Sequence, residues 1–207
     1  MSFSRVGTGS TTDVKSPSPL DVLMDEDIIQ IVAGTHHTVV LTDDGKVYTW
    51  GKNDTGALGH GDSHIDMYSL EEYPRLLECA EMDGKVVFVA AGNGRSAAVT
   101  SDGKLFLWGR NMGHVPAALN NTAFEGLKVT KVALGGDAGK SVIAVITEDG
   151  GLWTFGEGGS KLMGSKGKTE WKYTDPMRVP TFIGKRVLDV YCGPGQHAVA
   201  RVVVDNE

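Results

Sequence analysis

Gly34-Thr35-His36-His37-Thr38-Val39-Val40-Leu41-Thr42-Asp43-Asp44-Gly45-Lys46-Val47-Tyr48-Thr49-Trp50-Gly51 decides the fold, because its skeleton returns twice further along the chain. A glycine is followed eight residues on by threonine and sixteen on by an aromatic residue and a glycine, as Gly34/Thr42/Trp50-Gly51, Gly92/Thr100/Trp108-Gly109 and Gly139/Thr147/Phe155-Gly156. Spacing inside each set is constant and spacing between sets is not, which marks an internal repeat with loop insertions. A fourth set opens at Gly193, carries Arg201 where threonine would stand, and reaches Glu207 before an aromatic-glycine pair. The chain thus holds about three and a half copies.

Within the first copy, residues 28–33, 38–42 and 46–50 are short runs rich in β-branched or aromatic residues, the composition and length of strands. Between the second and third runs stands Thr42-Asp43-Asp44-Gly45, repeated as Thr100-Ser101-Asp102-Gly103 and Thr147-Glu148-Asp149-Gly150. Asp-Gly between strands predicts a tight hairpin, since glycine accepts the positive φ such turns need. The glycine that opens each copy is expected to be a turn glycine of the same kind. A sheet this small cannot bury both faces alone and must pack on its neighbours. The 28 glycines suit a chain built of turns. The segment from Ser69 to Met82 is the one candidate for a short helix, interrupted by Pro74. The expected class is all-β.

The run from Ala33 to Gly61, with its His37-Thr38, Leu41-Thr42, Gly45-x-Val47-Tyr48-x-Trp50-Gly51-x-Asn53 and Gly56-x-Leu58-Gly59, resembles the repeat of the regulator-of-chromosome-condensation family. The second copy keeps Gly92, Ser96, Thr100, Gly103, Trp108-Gly109 and Asn111, places Arg95 at the histidine position and loses the Gly-x-Leu-Gly tail. The third has Phe155 for tryptophan, and Leu162-Met163-Gly164 follows the tail only loosely. The resemblance implies β-propeller repeats over residues 27–207, here a partial, half-length seven-bladed propeller. Residues 1–26, with Ser, Thr, Gly and Pro and no apolar periodicity, read as a flexible tail or a strip laid over a partner.

Half a ring implies that two arcs pair, that another protein supplies the missing half, or that the chain is a piece of something longer; a closed four-bladed ring demands sharper curvature and ranks last. The function expected is a non-enzymatic protein–protein interaction scaffold whose partner is a second copy or another protein. The alternative is guanine-nucleotide exchange on a Ran-like small GTPase, the founding activity of the family. Exchange needs a rigid ring and a protruding wedge, so a small GTPase is not the expected partner.

No catalytic constellation stands out, as neither a Gly-x-Ser-x-Gly elbow nor a supported Cys-His pairing occurs. Gly135-Gly136-Asp137-Ala138-Gly139-Lys140-Ser141 imitates a phosphate-binding loop but has Leu134 where its first glycine belongs, and a strand pattern follows where a helix is required. In the repeat register Gly139 is the turn glycine equivalent to Gly34, Gly92 and Gly193. His36, His37, His60, His64, His114 and His197 fall at turns or loops without recurrent carboxylate or thiol partners, so no metal and no cofactor are expected. The resemblance gives His37 the family's hydrogen-bonding role between turns. Trp50, Trp108 and Phe155 read as repeated core, with Trp153 on the same face as Phe155.

The net charge of −6 argues against a nucleic-acid partner. A local exception is the stretch with Lys161, Lys166, Lys168 and Lys172 around Trp171. Its plain reading is a solvated loop, and its functional reading is a partner-binding loop anchored by Trp171. Two distant cysteines, Cys79 and Cys192, indicate neither a disulfide framework nor a zinc site. No apolar run is long enough to span a bilayer and no secretory signal is visible, so an intracellular location is expected.

Overall fold

The computed structural model describes residues 5–10, 14–119, 121–137, 141–156, 176–193 and 197–203. The chain divides into two compact units, Met1–Ser101 with Phe106–Ala118 and Asp102–Leu105 with Leu119–Glu207. Both are antiparallel sheets, and the helical elements among the described residues are single 3-10 turns at Asp21–Leu23, Asn121–Phe124 and Pro180–Phe182.

In the first unit β1 (Ile28–Ala33), β2 (His37–Thr42), β3 (Val47–Lys52) and β4 (Leu70–Leu76) form one sheet in chain order. A second sheet repeats that order with β5 (Val86–Ala91), β6 (Arg95–Thr100), β7 (Leu105–Gly109) and β8 (Gly113–Leu119). The expected helix near Ser69 is instead β4, the outer edge strand, whose pairing with β3 is irregular between Thr49 and Gly51. Pro74 is tolerated there because an edge strand has no further neighbour to receive the N–H that proline lacks. Pro116 stands likewise in β8, the outer strand of the second sheet.

The core follows from strand alternation. Val39, Leu41 and Val47 meet Val86, Val89, Ala98, Phe106 and Trp108 in one buried cluster between the two sheets. The opposite face of the first sheet presents Val40, Tyr48 and Trp50, covered by Leu23 and Leu20. Leu20 and Leu23 thus pack on the first sheet from within the stretch read as a tail. A stretch with no periodicity of its own is held by what it covers. Between the innermost strands Gln30 bonds the Val89 backbone twice, donating to its carbonyl at 2.8 Å and accepting its N–H at 2.9 Å.

In the second unit β9 (Val129–Gly136), β10 (Ser141–Thr147), β11 (Leu152–Phe155) and β12 (Met177–Arg178) make a third sheet. β13 (Arg186–Cys192) and β14 (Ala198–Val203) pair as a two-stranded sheet. Ala144, Ile146 and Leu152 pack on Val187 and Val190. Lys131 donates to Leu188 O at 3.0 Å and pairs with Asp189, tying β9 to β13 much as Gln30 ties β1 to β5.

The Asp-Gly hairpins form as expected: Gly45, Gly103 and Gly150 have φ of +91°, +86° and +79°. The Thr42 hydroxyl donates to Asp44 at 2.5 Å and the Thr147 hydroxyl to Asp149 at 2.6 Å, bracing two of the turns. Gly34 and Gly92 are not among the positive-φ residues, contrary to expectation. Space is what Gly34 answers to, because a Cβ there would stand 2.2 Å from His37 Cε1 and 2.5 Å from Gly92 O. In the third copy this close approach belongs to Gly135, whose Cβ would lie 2.9 Å from Gly193 O. Gly139, assigned that role from its spacing, lies outside the described residues. In the fourth, Gly193 N donates to His197 O as Gly34 N does to His37 O, so His197 takes the repeat histidine position.

Candidate functional site

The polar centre of the first unit is the junction between its two sheets. The loop after β3 carries Ala57-Leu58-Gly59-His60-Gly61 onto the second sheet. There the Ala57 carbonyl accepts the Ser96 hydroxyl at 2.7 Å and the Trp108 indole N–H at 2.8 Å. His37 Nε2 lies 2.8 Å from Ser96 Oγ. Ser96 has one hydrogen and gives it to Ala57, so His37 Nε2 is the protonated nitrogen and donates to Ser96. The same reasoning makes His60 a donor to Thr49, whose own hydroxyl donates to Leu58 O at 2.8 Å. Burial pushes the imidazoles of His37 and His60 down to about 4, so both are neutral near pH 7.

An equivalent junction stands on the first sheet and was not foreseen from the sequence. There Arg5 O accepts the Thr38 hydroxyl at 3.0 Å and the Trp50 indole at 2.8 Å, from the positions of Ser96 and Trp108. Gly7 and Gly59 have φ of +79° and +82°, and a Cβ on either would lie 2.8 Å from the indole nitrogen below. Gly9 N donates to Glu72 O at 3.1 Å and Gly61 N to His114 O at 3.0 Å. Arg5-Val6-Gly7-Thr8-Gly9 is therefore the structural counterpart of Ala57-Leu58-Gly59-His60-Gly61. Its sequence signal was a glycine pair, Gly7 and Gly9, spaced like Gly59 and Gly61 after an aliphatic residue.

The third copy lacks both donors. Ile143 and Phe155, fully buried, stand at the positions of Ser96 and Trp108. In place of a carbonyl, the buried Phe124 ring meets Phe155 at 6.2 Å and Trp153 at 5.7 Å, both edge-on. Loss of the Gly-x-Leu-Gly tail after the second copy thus accompanies loss of the donors that would hold it. Trp153 shares the Phe124 contact with Phe155, as alternation requires, and donates its N–H to Thr147 at 3.0 Å.

Around β4 the surface changes character. Met67, Tyr68 and Tyr73 are exposed, Tyr68 to 81%, among the carboxylates of Asp62, Asp66, Glu71 and Glu72. Arg75 bridges Asp62 at 3.4 Å and Glu71 at 3.3 Å. Backbone N–H of Tyr68, followed by the Ser69 hydroxyl, holds the Asp66 carboxyl below its usual range.

Lys161, Lys166, Lys168, Trp171 and Lys172, the loop singled out from the sequence, lie outside the described residues. No group of three metal-ligating side chains occurs among the described residues. Arg95, at the histidine position of the second copy, is buried and donates to Asn93 O at 3.3 Å. The false phosphate loop joins the ends of β9 and β10, so its described residues open no helix.

Repeated four-stranded sheets joined by a loop that docks on the next sheet define a β-propeller repeat protein. The chain belongs to the regulator of chromosome condensation (RCC1) repeat family, whose models match residues 28–57, 44–99 and 149–200. It is 32% identical over 95% of its length to the human E3 ubiquitin-protein ligase HERC2, of which it spans 4%. It is 35% identical over 77% of its length to the human regulator of chromosome condensation, of which it spans 38%. The crystal structure of human WBSCR16 superposes with a TM-score of 0.69 and 27% identity, covering 86% of this chain and 46% of that one. The fold is accordingly all-β, a part of a propeller of RCC1-type repeats. Among the described residues no helix is long and apolar enough to cross a membrane.

Proposed function

We propose that the chain is a non-enzymatic protein–protein interaction scaffold, a subunit of a larger assembly or one arc of a ring completed by a second copy or another protein. The observation that carries this reading is the exposure of Met67 (67%), Tyr68 (81%) and Tyr73 (54%) along the outer edge of the first sheet. Methionine and tyrosine are enriched where proteins meet, and aromatic side chains contribute most of the energy there. The exposed Ile29 and Ile31 of β1 and Val199 of β14 give each unit further apolar surface for a partner to cover. The surrounding carboxylates and the net charge of −6 disfavour nucleic acid and favour a partner with basic side chains. The two free thiols, Cys79 and Cys192, suit an intracellular location.

The test is sedimentation and mass photometry of the chain at micromolar concentration, alone and with proteins captured from its source. The scaffold reading expects a complex that weakens at least about tenfold when Met67 and Tyr68 are both replaced by serine. A stable 22.0 kDa monomer that captures nothing overturns it. So does clear acceleration of nucleotide release from a Ran-like GTPase at stoichiometric protein.

A further inference from the structure

We infer that the groove between residues 19–22 and β4 is a subsite for an arginine side chain of a protein partner. The inference rests on reading this edge of the first sheet as a protein-binding surface, and it names what that surface takes.

Two walls make the groove. Leu20 and Leu23 pack on Val40, Tyr48 and Trp50, which lays the 3-10 turn Asp21–Leu23 beside the outer strand. In that strand Pro74 is buried, and the hydroxyl of Tyr73 stands so close over Gly9 that no Cβ fits there. Between the walls lies an open cleft of about 380 Å³ lined by Pro19, Leu20, Asp21, Val22, Tyr73 and Pro74.

The lining is mostly apolar and carries one charge. Tyr73 is 54% exposed and Val22 50%, so an aliphatic stem laid along them removes apolar surface from water on both sides. Asp21 supplies the charge, and no cation lines the cleft. Among the described residues its exposed carboxylate enters no ion pair, whereas Glu26 is taken by Lys46 and Tyr48. Arg75, the cation of β4, is committed to Asp62 and Glu71. An aromatic ring and a carboxylate thus share one cleft with nothing in the chain to answer them. Arginine meets each demand: its methylenes cover the apolar part, and its guanidinium stacks on a ring and pairs a carboxylate through two parallel N–H donors. Lysine has no plane to stack, and a neutral side chain leaves Asp21 without a counter-charge.

The probe is a blocked Ala-Arg-Ala peptide titrated into the full chain, read by nuclear magnetic resonance at the Val22 and Leu20 methyls and the Tyr73 ring. These signals should move together and saturate with a dissociation constant in the millimolar range. The same peptide with citrulline, which keeps the shape and loses the charge, should bind at least about fivefold more weakly. Asp21→Asn should weaken the arginine peptide by a similar factor, and Tyr73→Ser by at least about threefold. Met67→Ser with Tyr68→Ser should leave it unchanged. No movement at the three residues overturns the proposal, and so does equal binding of the citrulline peptide or equal binding by Asp21→Asn. If a variant fails to fold, the citrulline comparison on the unaltered chain decides. Because the probe needs no partner protein, a groove that binds nothing leaves the scaffold reading to its own capture experiment, and a groove that binds arginine stands even where capture finds no complex.

Discussion

The Trp108 indole and the Ala57 carbonyl meet at 2.8 Å, joining the second sheet to the loop that leaves the first. Ser96 brings a second hydrogen to the same oxygen at 2.7 Å, and His37 from the first sheet stands behind Ser96. Segments far apart in sequence thus meet in one buried hydrogen-bond network. The repeated tryptophan is both core and clasp.

Trp108→Phe keeps most of the ring volume and removes the N–H. Ala57 O retains Ser96, so the cost is one buried hydrogen bond plus a small void, about 1–3 kcal/mol. Urea unfolding measures it, and an unchanged midpoint would show that the indole bond contributes nothing net.

Stability should fall on mild acidification. His37 is neutral in the fold, its imidazole pushed down to about 4 from an unfolded value of 6.5, chiefly by burial. A lowered folded value means that the unfolded chain takes the proton first. The stabilisation is therefore complete above about pH 6.5 and is lost as pH falls toward 4, amounting to about 2–4 kcal/mol. His60 adds in the same direction and window, also chiefly through burial. His37→Gln should flatten the melting temperature between pH 6.5 and 4 relative to the parent; parallel curves would contradict the assignment.

Gly34→Ala tests close approach rather than φ. Its methyl would overlap His37 and the Gly92 carbonyl, and the strain should cost about 1–3 kcal/mol. A neutral substitution would mean that the two innermost turns do not touch.

Phe124→Ala empties the space that a docking loop fills in the first unit. With Trp153 and Phe155 left facing a cavity, the loss should be about 3–5 kcal/mol, read by thermal unfolding. A loss below about 1 kcal/mol would show that the site collapses.

Cys192 should resist alkylation in the folded chain, since burial pushes its thiol up to about 12. Iodoacetamide at pH 8, followed by mass spectrometry, should modify it only upon unfolding. Rapid labelling of Cys192 in the native protein would show that β13 opens readily.

The first three strands of each copy, the Asp-Gly turns and the recurrent aromatic were legible in the sequence because each is set by neighbours a few residues away. Alternation, β-branching and the positive φ of Gly45 or Gly103 are local demands, and repetition made them visible three times over. The outer strand β4 was not legible, since glutamates and Pro74 weaken every strand signal and only pairing with β3 supplies the missing order. Gly135 rather than Gly139 could be recognised only once Gly193 O lay against it, because four extra residues in the turn leave the spacing ambiguous. The segment Arg5–Gly9 carries little local signal beyond its two glycines, and its role appeared when Trp50 and Thr38 closed on the Arg5 carbonyl. Sequence by itself determined the repeat and its core, which depend on short-range pattern. Tertiary structure decided which carbonyl each tryptophan holds, which depends on residues brought together across 45 or 51 positions of chain.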